Sequence, residues 1–384
     1  MSAKRTILIS GMIAADPFQG GATWAVLQYI LGLRELGHEV YLIEPIASKT
    51  LRPAGVALAD SKNARYFNQV VGDFDLASHS AMLISGAQHT CGLSYRQLEK
   101  IARHTDVLIN ISGMLTDQNL LKSIPIRVYL DLDPAFNQLW HCVEGVDMRF
   151  AGHTHFVTIG TDIGETGCSV PTCNLRWLKT LQPVVLHYWK PAGRPTYDAF
   201  TTVGNWRGYG SIEHQGVLYG QKAHSLRQFF DLPALTGENF VLALSIHPDE
   251  TKDLAALAKN GWQLVDPSKL ACSPAAYQKF IQESKGEFGI AKAGYAVSRC
   301  GWFSDRSVCY LASGRPVIAQ ETGFSRHLPT GKGLFAFSRR EDVVHATQEV
   351  RADYPKHAAR ARAIAEEYFD SAKVLPRLLE QIGA

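Results

Sequence analysis

The sequence predicts an α/β protein built from two doubly wound, Rossmann-like domains. Three observations predict it. The chain has 384 residues, more than one ordinary hydrophobic core holds, so two domains are expected. Short apolar, β-branched runs alternate with amphipathic stretches along the whole length, which is the pattern of βαβ units around a parallel sheet. A Pro- and Gly-rich segment at residues 190–196 (KPAGRPT) separates two such series.

The first series opens with TILIS at Thr6–Ser10, a continuous apolar run of the kind buried on both faces in a parallel sheet. A loop containing Gly11, Asp16, Gly20 and Gly21 follows. Val26, Leu27, Ile30 and Leu33 then recur at helical spacing, and Gly37 is placed to end that helix before a strand at 40–45. Further strands are expected at 81–86, 106–113, 127–134 and 155–160. After the linker come strands at 199–204, 240–245, 262–265, 288–294 and 316–320. The closing stretch is helical in composition, with a bend at 369–371. These readings divide the chain into a first domain at 1–190, a second at 197–366 and a terminal helix at 367–384.

Composition narrows the function. At 46% hydrophobic and 20% charged the chain is a folding sequence rather than a disordered one. Its 39 basic and 36 acidic residues leave a net charge of only +3, so bulk binding of a nucleic-acid backbone is not favoured as the main activity. The seven cysteines are scattered, odd in number and without a C-x-x-C pair. Reduced thiols in a cytoplasmic protein are therefore expected, with neither a disulfide framework nor a structural zinc site. No apolar run approaches the ~18 residues of a membrane span. The amino-terminal segment reads as a first strand, not a leader.

The most informative stretch is residues 298–324, SRCGWFSDRSVCYLASGRPVIAQETGF. A Gly-containing loop leads into a helix capped by Ser304 or Asp305 and ended by Gly314, before the strand PVIA. A helix start behind a Gly turn presents unpaired N–H groups and a positive dipole end, which suits a diphosphate. Arg299, Ser304 and Arg306 would add side-chain donors. Arg207 and Lys222, beyond the first strand of the second domain, and Lys292, at a later strand end, are further candidate cations for the same anion.

Cys300-Gly301-Trp302-Phe303-Ser304, followed by Ala312-Ser313-Gly314-Arg315-Pro316-Val317, resembles the donor-binding region of the GT-B glycosyltransferases. The opening GGATWAVLQYILGLRELGHEVYLIEP resembles the start of the same family. The resemblance implies two domains facing each other across a cleft, and a terminal helix that crosses back to the first domain. It implies transfer of a sugar from a nucleoside-diphosphate sugar, without metal or other cofactor, to a small-molecule or glycan acceptor. It also implies a donor site drawn from Gly20, Gly21, Arg207, Lys222, Lys292, Arg299, Gly301, Trp302, Ser304, Asp305, Arg306 and Glu321.

The chain departs from the family pattern at Cys309, where many members carry a glutamate, and the first loop lacks the usual histidine base. Asp133, Asp16 and Glu165 are the candidate catalytic carboxylates, and the His89 imidazole is a further candidate base. Asp131-Leu132-Asp133 matches a metal-binding D-x-D only literally. Trp140, Trp177, Tyr188 and Trp189 are candidates for an acceptor pocket or for the core. A nucleotide-sugar epimerase of the same shape, a non-catalytic nucleotide-binding protein and glycosylation of a modified nucleic-acid base stand as alternatives. A dinucleotide oxidoreductase is disfavoured because no G-x-G-x-x-G follows the first strand.

Overall fold

A computed structural model describes residues 4–384; residues 1–3, the tip of the segment read as a first strand, lie outside it. The first eight strands are β1 (Thr6–Ser10), β2 (Glu39–Ile46), β3 (Ser80–Ile84), β4 (Thr90–Gly92), β5 (Val107–Ile111), β6 (Ile126–Asp131), β7 (His155–Thr158) and β8 (Trp177–Lys179). They form one sheet in the order β4-β3-β2-β1-β5-β6-β7-β8. Every pairing is parallel except β3 with β4. Ile7, Leu8 and Ile9 are wholly buried, as expected where helices cover both faces of a parallel sheet.

The remaining strands are β9 (Tyr197–Asn205), β10 (Ile212–His214), β11 (Val217–Tyr219), β12 (Phe240–Ser245), β13 (Gln263–Leu264), β14 (Ser284–Gly289), β15 (Val317–Gln320) and β16 (Leu334–Phe337). Six of them make an all-parallel second sheet in the order β13-β12-β9-β14-β15-β16, while β10 and β11 form a separate hairpin. The two-sheet α/β architecture agrees with the sequence reading. Several extents do not. The strand expected at 288–294 lies earlier, at Ser284–Gly289, and residues Ala293–Ser298 are a helix. Strands β4, β8 and β16 and the hairpin have no counterpart in the sequence reading.

The helix Gly20–Glu35 is buried along most of its length. The chain breaks at Asp370, and the helix Ser371–Gln381 returns to lie against it. A Cβ at Gly32 would come within 2.6 Å of Leu375 Cδ1, so only glycine permits that close crossing. The crossing is pinned by Val184, whose N–H donates to Phe369 at 2.7 Å and whose carbonyl accepts from Ser371 at 2.9 Å. The terminal helix thus crosses back to the first domain.

The expectation that all thiols are reduced needs correction. Cys142, at the end of the helix Phe136–Cys142, and Cys173 are joined as a disulfide, and Cys91, Cys168, Cys272, Cys300 and Cys309 are free. Two cysteines far apart in sequence meet because the loop between β7 and β8 folds back over that helix, where the Cys173 sulfur lies beside the Gln138 carbonyl. Among the described residues no helix is long and apolar enough to cross a membrane.

Candidate active site

A cleft of about 810 Å³ lies between the two sheets. Its first-domain wall is the loop after β1, with Pro17, Phe18, Gln19 and Gly21, joined by Arg52. Its second-domain wall uses the carboxyl ends of β9 and β12, at Gly204, Asn205 and Ser245, where doubly wound sheets hold ligands. Residues 264–268, Asp305 and Arg306 complete that side.

The glycine pair explains how closely the walls approach. The Gly20 N–H donates across the gap to the Ala271 carbonyl at 2.7 Å. A Cβ on Gly20 would sit 2.2 Å from the Ser273 carbonyl oxygen, and one on Gly21 would strike the Tyr277 ring. Trp24 Nε1 adds a bond to the Pro274 carbonyl at 2.9 Å. These two glycines therefore let two backbones touch, which is the use of a residue without a Cβ.

Two basic side chains lie on the second-domain side: Arg306 lines the cleft, and Lys222 is packed behind the lining residue Gly204. Lys222 is 8% exposed, makes no hydrogen bond or ion pair among the described residues, and its Nζ would be 3.3 Å from a Cβ on the cleft-lining Gly204. Burial, then the Arg306 charge, hold its pKa well below that of an ordinary lysine. Arg306 donates Nε to Glu287 at 2.6 Å and Nη1 to the Val203 carbonyl at 3.0 Å. Glu287 Oε2 is buried without a partner. Lys222 is thus left without a hydrogen-bond or ion-pair partner behind the cleft wall, an arrangement that an anionic ligand would complete.

At the helix start, two of the amides that the sequence reading offers to a diphosphate have partners within the protein. The helix runs Asp305–Ala312, and the Arg306 N–H is capped by Ser304 Oγ at 3.2 Å. The Asp305 carboxylate sits over the same amides, and burial pushes its pKa up. The Gly301 N–H donates to Thr322 at 2.7 Å, and a Cβ there would meet Thr161 Oγ1 at 2.2 Å. The Arg306 amide is thus engaged in capping and the Gly301 amide in holding the loop to Thr322, while the Gly301 and Cys300 carbonyls accept from Thr161 Oγ1 and Asp162 N of the first domain. Arg299 is the left-handed residue ending the helix Ala293–Ser298. Trp302 stacks on Tyr295 with ring centroids 4.3 Å apart, and Glu321 caps the turn at Gly323. None of Arg299, Gly301, Trp302, Ser304 and Glu321 lines the cleft.

The catalytic candidates also separate. Asp16 stands at the cleft rim beside Pro17, paired with Arg52 at 2.8 Å. Glu165 is exposed and bound to Lys179 at 2.7 Å, which lowers its pKa. Asp133 bridges the domains outside the cleft lining: it accepts from Tyr209 at 2.6 Å, from Tyr295, and from Lys292 Nζ at 3.1 Å. Lys292 is boxed by the rings of Phe136, Tyr209 and Tyr295, and burial lowers its pKa. Asp131 is a structural carboxylate taking bonds from Asn137, Gln138 and Thr158, with burial raising its pKa to about 6. Arg207 is tied to Glu250, and His89 is an exposed turn residue next to β4. Trp189 and Tyr188 pack on Trp24, and Trp177 packs on Phe150, so these are core contacts.

Sequence reasoning missed Glu44. It is wholly buried at the end of β2 and accepts the N–H groups of Ala14 at 2.7 Å and Ala15 at 2.5 Å, holding the loop after β1 from beneath. A lone acid in the apolar run VYLIEP was its only trace.

No known protein family and no curated protein matches the chain. Solved structures do. An alpha-glucosyltransferase in complex with UDP and a 13-mer DNA containing an HMU base superposes over 100% of both chains, with a TM-score of 0.61 at 14% identity. The chain has the GT-B fold. HepE of Anabaena in complex with UDP-glucose covers 99% of each chain at 13% identity and a TM-score of 0.58. AviGT4, a glycosyltransferase involved in avilamycin A biosynthesis, covers 99% of this chain and 97% of its own at 12% identity and a TM-score of 0.54. In this GT-B fold Arg306 lines the gap between the two sheets, with Lys222 packed behind Gly204.

Proposed function

We propose that the chain is a glycosyltransferase that moves a sugar from a nucleoside-diphosphate sugar, with UDP-glucose the first donor to test, to a hydroxyl-bearing acceptor. The observation that carries this reading is Lys222: a buried amine with no hydrogen-bond or ion-pair partner among the described residues, packed behind the cleft-lining Gly204 and near the cleft-lining Arg306. Its desolvation is offset when a diphosphate binds, and its charge then stabilises the departing nucleoside diphosphate without a metal. Segment 197–366 would bind the donor, 1–190 the acceptor, and 367–384 would tie the two together. Asp16, beside the cleft-lining Pro17 and paired with the cleft-lining Arg52, is the first-domain candidate carboxylate nearest the cleft to meet an incoming hydroxyl. A cytoplasmic location belongs to the same reading. HepE in complex with UDP-glucose supports the donor.

A second reading is favoured by one neighbour alone. The alpha-glucosyltransferase bound to UDP and HMU-containing DNA makes a modified base a specific acceptor to test. The near-neutral net charge of +3 keeps a small acceptor first.

The test is thermal stability with UDP, GDP, ADP and TDP. A ligand bound only to the native state raises the melting temperature, by about 2.7 kcal/mol of added stability at a hundredfold excess over Kd. UDP is expected to give the largest rise, and UDP release from UDP-glucose is expected to quicken with the right acceptor, HMU-containing DNA among those tried. In Lys222→Met the UDP shift should vanish while the ligand-free protein melts no lower, since a buried amine without a partner has been replaced by an apolar side chain of similar length. No rise with any nucleotide sinks the proposal.

A further inference from the structure

Phe18 is 46% exposed and carries a backbone φ of +69°. Aromatic residues avoid that left-handed region because Cβ crowds the following carbonyl. Such conformations persist where the surroundings hold them, and they gather at ligand sites. Here three buried residues supply the hold. Glu44 gathers the Ala14 and Ala15 N–H groups. Asn63 donates Nδ2 to the Ala14 carbonyl at 2.8 Å and accepts the Arg52 N–H at 2.8 Å, so one amide ties together both first-domain segments of the cleft wall. Tyr66 meets the Phe18 ring edge-on at 5.0 Å and bonds Thr23 through its hydroxyl at 3.1 Å. The result is a rigid mount for one unfavourably posed, half-exposed ring.

The opposite wall of the same cleft carries Leu264, 40% exposed, together with Ile246 and Val265. Asn205, Asp266 and Ser268 lie among them. Apolar surface on both walls with polar groups at its margin suits a flat, hydrogen-bonding ring rather than a diphosphate.

We propose that Phe18 is a specificity-determining contact for the nucleoside of the donor, its ring closing over the base from the first domain. This rests on the nucleotide reading given above. The diphosphate is left to Lys222 and Arg306, so the two parts of the ligand are recognised by separate groups.

Calorimetric titration of wild type and Phe18→Gly with UDP, and separately with inorganic pyrophosphate, tests this. Glycine adopts the left-handed conformation freely, so the variant is expected to melt at or above the wild-type temperature. UDP affinity is expected to fall about tenfold or more, with pyrophosphate affinity unchanged. Phe18→Trp, which keeps an aromatic face, is expected to retain most of the UDP affinity. UDP affinity in Phe18→Gly within about twofold of wild type overturns the assignment, and so does an equal loss for UDP and pyrophosphate, which would mean a distorted wall. A drop in melting temperature that accompanies the loss of affinity also overturns it, because Phe18 would then be a core residue. Wild type that binds no UDP removes the nucleotide reading and this one together; wild type that binds while Phe18→Gly binds equally well removes only this one.

Discussion

At the scale of single residues, the groups that matter most are those whose surroundings no local pattern encodes. Lys222 was legible as a cation in the right part of the chain, but its isolation depends on Gly204 and Arg306, which reach it through the fold. Glu44 was not legible at all, because an acid inside an apolar strand has meaning only once the amides of Ala14 and Ala15 arrive above it. Burial raises its pKa to about 7, against the lowering effect of those amides. The folded protein therefore holds a proton that the unfolded chain gives up near its ordinary 4.5. Between these two values the native state binds more protons than the unfolded one, so stability falls as pH rises and levels off above about 7. The decline attributable to Glu44 is at most about 3 kcal/mol. Glu44→Gln should remove its share, flattening the curve of urea midpoint against pH across that window; an unchanged curve would show that Glu44 does not titrate there.

At the scale of elements, apolar runs made most of the longer strands legible, although the short apolar β16 and the polar start of β14 were not read. The run TILIS of β1 and FVLALS of β12 were read with their true bounds. The β14 segment SKGEFG was missed at its start because its charges looked like loop. In the structure Lys285 pairs with Glu238 at 2.6 Å and Glu287 with Arg306 at 2.6 Å, so each charge has a partner from another element. The helix Asp305–Ala312 shows the converse: its ends were read from the capping Ser304 and from Gly314, while the use of its first amides was not. Arg306 thus joins helix to sheet as well as facing the cleft. Arg306→Ala would strand Glu287, which is wholly buried, and breaking such a pair costs about 3–5 kcal/mol. Chemical denaturation should show most of that loss recovered in Arg306→Ala combined with Glu287→Gln. A double variant no more stable than Arg306→Ala would mean that Arg306 acts through its Val203 contact instead.

At the scale of the whole molecule, the two-sheet plan was readable because βαβ order and the linker are one-dimensional signals, and the cleft followed from the resemblance to GT-B sequences. Contacts across the cleft were not, since nothing in a single chain pairs residue 133 with residue 292. That pairing changes what Asp133 can do. A strand-end carboxylate aimed at a cleft suits a base; one that accepts from Lys292, Tyr209 and Tyr295 has its lone pairs engaged and holds the domains together. The two roles predict different outcomes for the same pair of variants. Asp133→Asn leaves Lys292 in its aromatic box without a counter-charge, at a cost of about 2 kcal/mol for a pair still partly in contact with water. Adding Lys292→Met replaces that charge with a side chain of similar length and should restore the melting temperature. If Asp133 pins the domains, UDP release from UDP-glucose should recover along with stability, because closure no longer works against a buried charge. If Asp133 is the base, stability should return while turnover stays about a hundredfold or more below wild type, since no carboxylate remains to take the proton. Turnover and melting temperature measured on the same three proteins therefore separate the interdomain pin from the catalytic group.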